Sequence, residues 1–297
     1  MEKINKRRLD ERMVSQFAFT AIALILIILI IYPLWFVIIA SFSNPADVAN
    51  GEVWLWPKKF DFAAYGELFK QKQIWSSYLN TIIYTLVGTI IALAVNIPAG
   101  FAMSRRELHG KKLINLFYLI PMFVNGGLIP TYFVVKAFGL LDSFWVMVLP
   151  FSVSTYNIIV ARTFFKSSLP DSLWEAAQID GCGTIRFFFQ IALPLSKSVL
   201  AVIGLWTAVG LWNSWFNALI YLNKESLQPL QLILRRILIS NQSLLGAATG
   251  EMANELRRLS DMMKYAAIVV STLPIMCLYP FFQKYFNKGV MIGAIKE

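Results

Sequence analysis

Long stretches without a charged residue recur along the whole sequence. A helix that crosses the hydrocarbon layer of a membrane needs about 20 mostly apolar residues, because its backbone amides find no water there. Six stretches without Asp, Glu, Lys, Arg or His meet this requirement: 14–40, 80–103, 113–135, 143–161, 198–222 and 265–283. The sequence therefore predicts an all-α polytopic membrane protein with six transmembrane helices.

The composition agrees with this class. The 297 residues are 57% hydrophobic and only 15% charged, whereas an ordinary soluble domain is about 45–50% apolar and about 25% charged. The same figures exclude an intrinsically disordered chain. A disulfide-stapled secreted scaffold is excluded as well, because the chain has two cysteines.

The distribution of basic residues predicts the orientation. Most of the 27 lysines and arginines flank one set of connections: the N-terminal segment 1–13, the loops 104–112 and 162–197, and the tail 284–297. Positively charged loops stay on the cytoplasmic side. Both termini and these two loops are therefore expected in the cytoplasm. The net charge of +10 is attributed to this topology and to anionic lipid rather than to nucleic acid.

The motifs indicate no catalytic or metal site. The single histidine, His109, cannot complete a Ser-His-Asp set, and no His, Cys, Asp or Glu cluster has metal-ligand spacing. The phosphate-binding pattern G-x-x-x-x-G-K-[ST] is missing. The predicted spans also lack the acidic residues that mark proton or ion relays. We therefore expect a non-catalytic chain without a bound metal or cofactor, whose energy comes from a partner.

The loop 168–195 between the fourth and fifth predicted spans carries a stronger signal. Pro170 suits the first turn of a helix, and Gly181 can adopt the left-handed conformation that ends one. We predict a helix from Pro170 to Asp180 and a shorter amphipathic helix over 184–190. One face of the first helix holds Leu173, Ala176, Ala177 and Asp180, with Glu175 beside it. By periodicity alone, this helix either contacts a partner protein or lies on the lipid surface.

The residues of this loop resemble a known motif at every fixed position. Glu175-Ala176-Ala177 is followed after three residues by Gly181, and after nine more by Ile191, one residue and Leu193-Pro194. This is the EAA loop (EAA-x3-G-x9-I-x-LP) of bacterial ABC importer permeases. The chain resembles the second, maltose-type permease of the carbohydrate branch over nearly its whole length. Supporting segments are Leu79-Asn80-Thr81, where relatives often have Ser in place of Thr81, Trp212-Asn213-Ser214-Trp215, and 283–294.

The resemblance implies a mechanism and a set of partners. It implies a single permease domain over 14–283 in the bacterial cytoplasmic membrane, paired with a second homologous permease, two ATPase subunits and an extracellular solute-binding protein. The ATPases use ATP and Mg, the EAA helix couples them to the spans, and the tail 289–297 also reaches them. It assigns the coupling role to Leu173, Glu175, Ala176, Ala177, Asp180, Gly181, Ile191, Leu193 and Pro194. The segments 41–77 and 223–264 are the expected docking surface for the binding protein.

A substrate path is predicted from aromatic and amide residues of the spans. Aromatic rings suit the apolar faces of sugar rings, and amides both donate to and accept from hydroxyl groups. Equally, Trp near a membrane boundary anchors a helix, and Asn within a span ties helices together. The candidates are Trp206, Trp212, Asn213, Trp215, Asn217 and Asn157, with Asn96, Ser152, Ser154 and Tyr156 as further members.

Two other functions remain open at this stage. The same importer architecture serves equally for a non-sugar solute such as a polyol phosphate, a peptide or a polyamine. A membrane scaffold or membrane enzyme that acts without an ATPase is the alternative from another class. The sequence favours import of an oligosaccharide.

Overall fold

The computed structural model describes residues 2–247, 260, 263–278 and 280. Within these residues the regular secondary structure is helical, and strand pairing is limited to one isolated bridge between Ser43 and Phe60. The helices are α1 Glu2–Ser41, α2 Pro45–Ala49, α3 Ala63–Lys70, α4 Lys72–Ser104, α5 Lys111–Phe123, α6 Leu128–Ala137, α7 Thr155–Ser168, α8 Asp171–Ile179, α9 Thr184–Phe187, α10 Leu193–Leu195, α11 Lys197–Trp212, α12 Trp215–Tyr221, α13 Leu230–Ala247 and α14 Met263–Leu278.

The chain divides into two compact units, one of residues 1–71 and 237–272 and one of residues 72–236 and 273–297. In the first unit, α1 exposes apolar side chains between residues 17 and 34, including Phe17 at 78%. In water such a surface would be strongly unfavourable, so it suits contact with lipid. The end of α1 is tied locally, because the Tyr65 hydroxyl donates to Ser41 Oγ at 2.8 Å.

In the second unit, α4 packs against α7 and α11. The approach of α4 to α7 is closest at Gly100, where an added Cβ would lie 2.4 Å from the Cβ of Ala161 and 2.9 Å from the backbone nitrogen of Arg162. Small residues at such crossings let helix backbones pack closely within a membrane. Gly100 therefore fixes the distance between these two helices.

Two apolar clusters of the second unit lie toward opposite ends of α4. One contains Ile97 and Phe101 of α4 and reaches Trp174 of α8 and Phe187 of α9. The other contains Tyr84 of α4 together with residues of α12, α13 and the 3-10 turn Phe144–Met147. Each end of α4 is thus packed against its own set of loops and short helices.

Two of the predicted spans are long unbroken helices. The stretch 14–40 lies inside α1, and 80–103 lies inside α4. Ser15–Ser41 and Lys72–Ser104 are each long and apolar enough to cross a membrane. The stretch 265–283 corresponds to α14, Met263–Leu278, and its last part lies outside the described residues.

The predicted span 113–135 is bent rather than one straight helix. The stretch forms α5 and α6, whose axes differ by 119°. Gly127, with φ +84°, stands between them, and its N–H donates to Asn125 Oδ1 at 2.9 Å. Helix α5 ends at Phe123, where Val124 takes up an extended conformation, and the positive φ of Gly127 directly precedes the start of α6 at Leu128.

The stretch 143–161 is also not one helix. It begins as the turn Phe144–Met147, passes through non-helical backbone around Pro150, and becomes helical only at Thr155, where α7 starts. Asn96 of α4 stabilises this non-helical backbone: its Nδ2 donates to the Ser152 carbonyl at 2.7 Å and its Oδ1 accepts from the Ser154 N–H at 2.9 Å. Irregular backbone at membrane depth requires such partners.

The stretch 198–222 divides into α11 and α12 at Asn213-Ser214. Immediately before α11, the chain turns by 80° between 184–195 and 197–212. The predicted cytoplasmic tail 284–297 lies outside the described residues.

Candidate functional site

Helix α8 forms as its sequence predicts. Pro170 occupies the N-cap position, Asp171 is in the first turn, and the helix ends with Asp180 as C-cap. An acidic residue in the first turn is favourable next to the positive end of the helix dipole. Gly181 has φ +74°, and the Cys182 N–H donates to the Ala177 carbonyl at 2.8 Å. The predicted left-handed helix end at Gly181 is confirmed.

The buried face of α8 differs from the face that spacing alone suggested for a partner. Trp174 and Ala177 are each only 7% exposed, and Leu173 packs beside them on the apolar cluster around Phe101 and Phe187. The Trp174 ring meets the Phe187 ring edge-on, with centroids 4.9 Å apart. Leu173 and Ala177 thus pack inside this chain, because the large Trp174 ring fixes which side of the helix is buried.

The outward face of α8 consists of Ser172, Glu175, Ala176 and Ile179, all exposed and spaced at i, i+3, i+4 and i+7. Ile179 is 87% exposed, which is unusual for a large apolar side chain beside a packed core. Asp180 is exposed at the end of this face. We call these four helical residues the α8 stripe.

A second exposed apolar region follows α8. Ile185 is 76% exposed and Phe189 is 61% exposed, and both line a cavity of about 650 Å³ formed by residues 183–190. Arg186 Nε donates to Gln190 Oε1 at 2.9 Å across this cavity's rim. Residues 172–190 therefore present apolar side chains flanked by single charges, a pattern typical of protein contact surfaces.

The last predicted coupling residues lead from this surface into α11. Ile191 and Leu193 are half-buried against the cluster around Phe101, and Pro194 is exposed within α10. The 80° turn follows directly, at Ser196, whose hydroxyl donates to the Ala192 carbonyl at 2.6 Å. Pro194 has no N–H, so the bend lies where one helical hydrogen bond is already missing.

Three predicted path residues line one cavity of about 410 Å³, namely Asn157 of α7, Trp206 of α11 and Asn217 of α12. Tyr156 and Trp206 stand at its wall with ring centroids 5.6 Å apart, and they are 54% and 44% exposed. Asn157 Nδ2 lies 3.5 Å from Thr207 Oγ1. The lining combines three aromatic rings with amide and hydroxyl groups, and none of its described residues is charged. It is formed by Phe151, Ser154, Tyr156, Asn157, Trp206, Thr207, Gly210, Leu211, Ser214 and Asn217.

The other three predicted path residues lie elsewhere. Trp212 is buried, with its ring 6.0 Å from that of Tyr78. Asn213 donates to the Val209 carbonyl of its own helix at 2.9 Å. The Trp215 ring lies 3.6 Å from the guanidinium carbon of Arg235, a cation–π contact. Helical rotation separates these positions from Trp206 and Asn217, which sequence proximity alone does not show.

Comparison with known sequences agrees with this arrangement. The family described as "Binding-protein-dependent transport system inner membrane component" matches residues 110–292, which include the whole EAA-like loop. The chain belongs to this family. It is a membrane permease of the ABC transporter type, and the resemblance drawn from the EAA loop is confirmed.

Several relatives are similar over nearly the full length of the permease. Protein LplC of Bacillus subtilis (strain 168) is 39% identical over 266 residues, covering 90% of this chain and 89% of the relative. The polygalacturonan/rhamnogalacturonan transport system permease protein YtcP of the same organism is 37% identical, covering 90% and 92%. A crystal structure of a bacterial ABC transporter involved in the import of the acidic polysaccharide alginate contains a chain with TM-score 0.81 and 30% identity, covering 92% of this permease and 96% of that chain.

The structure of the permease shows contacts of α8 that sequence reasoning missed. The loop after α4 reaches α8 twice: Trp174 Nε1 donates to Glu107 Oε1 at 2.8 Å, and Arg106 pairs with Asp171 at 2.7 Å. Arg105 is buried, with its guanidinium carbon 5.0 Å from the Phe101 ring centroid. Burial lowers the pKa of Arg105, and the negative charges of Glu107 and Asp171 oppose that shift.

The segment Leu79-Asn80-Thr81, which supports the resemblance to importer permeases, forms hydrogen bonds to a distant loop of the permease. Asn80 Nδ2 donates to the carbonyls of Ser226 and Gln228 at 2.7 and 3.2 Å. Thr81 Oγ1 accepts from the Leu230 N–H at 2.8 Å. Because these partners are more than 140 positions apart along the chain, no local sequence pattern could reveal them.

Proposed function

We propose that this permease is the membrane-spanning, non-catalytic subunit of an ATP-driven importer for an oligosaccharide delivered by an external solute-binding protein. A second permease and two ATPase subunits, which use ATP and Mg, complete the complex. The α8 stripe is the observation that carries this proposal. It is an exposed, partly apolar helical face that includes Glu175 and Ala176 of the EAA motif and rests on a well-packed core.

We propose six membrane crossings with both termini in the cytoplasm. Helices α1 and α4 supply two unbroken crossings, and α14 supplies an apolar segment for the last. The bent stretches 113–135 and 198–222 and the partly irregular stretch 143–161 supply the others. Broken helices within a membrane are stable where neighbouring side chains satisfy their backbone, as Asn96 does for residues 152–154.

The α8 stripe suits a groove on a cytoplasmic ATPase. The side chain of Ala176 is small, so a partner backbone can approach the centre of the stripe closely. Ile179 offers an apolar contact beside it. Glu175 is exposed beside them and can pair with a basic group. Leu173, Trp174 and Ala177 support the stripe from the buried side, so that a force on α8 is transmitted to the core rather than absorbed by a loose helix.

A charge reversal on the stripe tests this proposal. Glu175→Lys should abolish or strongly reduce copurification of the ATPase with the permease, because it places a positive charge at the contact. The matched control is Glu67→Lys, the same charge change in α3, where Glu67 pairs only with Lys70 at 2.6 Å on the surface. If Glu175→Lys retains the ATPase as well as Glu67→Lys does, the docking proposal is wrong.

The cavity between α7, α11 and α12 supports a sugar as the transported solute. The Tyr156 and Trp206 rings suit sugar ring faces, and Asn157, Asn217 and Ser154 suit hydroxyl groups. A phosphate or polyamine bound there would lack a counter-charge, since no charged side chain lines the cavity. Relatives named for polygalacturonan/rhamnogalacturonan and for melibiose/raffinose/stachyose import point to the same class.

Transport by the reconstituted complex distinguishes the solute classes. With its cognate binding protein, the complex should take up labelled oligosaccharides, and polyol phosphates, peptides and polyamines should not compete. Competition by one of these non-sugar solutes would assign the importer to that solute. Transport or another activity without any ATPase would instead favour a scaffold or an enzyme.

A further inference from the structure

Helix α4 is long enough to connect the two sides of the membrane by itself. Its 33 residues correspond to about 50 Å of helix, whereas the hydrocarbon core is about 30 Å thick. Helix α4 is therefore about 20 Å longer than the core is thick. Side chains at or near each end of α4 bind a loop.

At the C-terminal end of α4, the loop that follows Ser104 contacts α8. Glu107 accepts the Trp174 indole N–H at 2.8 Å, and Arg106 pairs with Asp171 at 2.7 Å. Lys111 Nζ donates to the Arg105 carbonyl at 2.9 Å, which tightens the loop that makes these contacts. The Phe101 ring, one turn earlier in α4, packs on the Phe187 and Phe188 rings. We call this set of contacts the inner clamp.

At the opposite end, α4 is tied to residues 226–230. The Asn80 amide donates to two carbonyls of this segment, Thr81 Oγ1 accepts the Leu230 N–H, and the Tyr84 hydroxyl donates to the Leu227 carbonyl at 2.8 Å. Gln228 and Leu230 are fully buried there. We call this set of contacts the outer clamp.

The beginning of the same outer loop is fixed separately. Asp142 accepts hydrogen bonds from the backbone N–H groups of Asn223 and Lys224 and from the Asn223 side chain. These bonds hold the pKa of the Asp142 carboxyl below its ordinary value. Residues 223–230 are thus anchored at one end by Asp142 and along the rest by α4, so the loop can follow a displacement of α4.

We propose that α4 is a connecting rod that carries a displacement of α8 to the outer loop 223–230. This inference rests on the proposed function, in which an ATPase moves α8 and a binding protein meets the outer loops. It adds a second route to the one through Gly181 and α11. It also assigns Asn80, Thr81 and Glu107 as positioning residues for coupling.

The geometry of the other helices favours α4 for this role. Helix α7 has 14 residues and α11 has 16, which gives about 21 and 24 Å, less than the hydrocarbon thickness. The route into α11 turns by 80° at Ser196 and is interrupted again at Asn213. Within the described residues of this unit, α4 is the one unbroken helix that reaches from the α8 region to the outer loop. A continuous helix transmits displacement with less loss than a chain of hinged pieces.

A single reporter cysteine on the outer loop tests the proposal. Cys182 and Cys277 are both free thiols and would be replaced by Ser. Ser226→Cys then supplies one exposed thiol, and the backbone carbonyl of residue 226 still accepts the hydrogen bond from Asn80. In the complete complex in nanodiscs, the rate of labelling by a polar maleimide is measured with and without ATP plus vanadate. Trapping the ATPases in this way requires no knowledge of the transported sugar.

The inner and outer clamps are then broken one at a time. Glu107→Ala and Trp174→Phe each remove the indole–carboxylate bond, and Trp174→Phe retains a ring against Phe187. Asn80→Ala removes the two bonds to the outer loop. Each variant should reduce the nucleotide-dependent change in labelling rate about five-fold or more. Combining Glu107→Ala with Asn80→Ala should reduce it no further, because both act on one route.

Three control variants separate coupling from folding. Glu107→Gln retains an acceptor oxygen for the indole and should retain most of the response. His109→Ala, in the same loop as Glu107, and Ser76→Ala, whose hydroxyl donates only to the Gln73 carbonyl of its own helix, should leave the response unchanged.

The outcomes distinguish this inference from the proposed function. An unchanged response in Glu107→Ala, Trp174→Phe and Asn80→Ala, or no nucleotide response in the reporter protein itself, would overturn the rod proposal. Failure of any ATPase to copurify with the unsubstituted permease would instead overturn the proposed function. Retained copurification with a lost labelling response supports the rod.

Discussion

The close approach of α4 and α7 at Gly100 should make Gly100→Ala destabilising. The added methyl carbon would lie 2.4 Å from Ala161 Cβ, 2.9 Å from the Arg162 nitrogen and 3.0 Å from the Ile158 carbonyl oxygen. Carbon atoms in contact prefer a separation of about 3.5 Å or more. Two of the three atoms belong to the backbone of α7, so side-chain rotation cannot relieve the clash. The helices would have to move apart by about an ångström.

The size of the effect follows from two opposing contributions. Overpacking of this kind costs about 1–3 kcal/mol, while replacement of Gly by Ala inside a helix stabilises by about 0.5–1 kcal/mol. The net change is a loss, and it falls within α7, the helix that precedes α8 along the chain. We therefore expect a lower thermal midpoint of unfolding, by about 2 °C or more, together with weaker stimulation of ATP hydrolysis.

Thermal unfolding of the purified complex in detergent measures this prediction. The control is Gly66→Ala in α3, where an added Cβ has no atom within 4 Å. That variant gains the helix contribution without a clash, so its midpoint should equal or exceed that of the unsubstituted protein. If Gly100→Ala behaves like Gly66→Ala, the reasoning about the α4–α7 contact is refuted.

Three further predictions concern the α8 turn, the cavity and the outer loop. Gly181→Val forces a β-branched residue into φ +74°, at a strain of about 1–3 kcal/mol. The variant should still insert into the membrane, but its ATP hydrolysis should be uncoupled from uptake. Normal uptake would count against the role of α8. Trp206→Ala should raise the solute concentration for half-maximal uptake about 2- to 10-fold without loss of the ATPase from the complex. Because the pKa of Asp142 is lowered in the folded state, its stabilisation of residues 223–224 is present above the ordinary aspartate pKa of about 3.9 and is lost only as the pH falls through the lowered value. Hydrogen exchange of the Asn223 and Lys224 amides should therefore stay slow until the pH falls to the lowered pKa of Asp142. Loss of this protection at neutral pH would contradict the assignment of Asp142 as their acceptor.

The sequence predicts the class of the protein and the position of its coupling segment well. The reason is that both depend on local patterns. Uncharged stretches of sufficient length specify membrane crossings, and Pro170 with Gly181 specifies the ends of α8 to within one residue. The breaks within 113–135 and 143–161 also coincide with Gly127 and Pro150, but composition alone does not distinguish a tolerated proline from a broken helix.

The sequence did not predict α13 or the orientation of side chains on α8 and on α11 to α12. Helix α13 occupies part of 223–264, a segment for which the sequence predicts only a docking surface. On α8, the Trp174 ring decides which face is buried, and its partners Phe187 and Glu107 come from different loops. On α11 and α12, Trp206 and Asn217 face one cavity while Trp212 and Trp215 contact Tyr78 and Arg235.

The amino-acid sequence by itself determined that this chain crosses a membrane, where α8 begins and ends, and that the chain resembles importer permeases. Those properties follow from hydrophobicity, backbone preference and spacing between near neighbours. The tertiary structure alone decided that Asn80 binds residues 226–228 and that Glu107 binds Trp174. Such bonds join residues far apart in the chain, and their formation depends on how α4 packs against the rest of its unit, which no local pattern specifies.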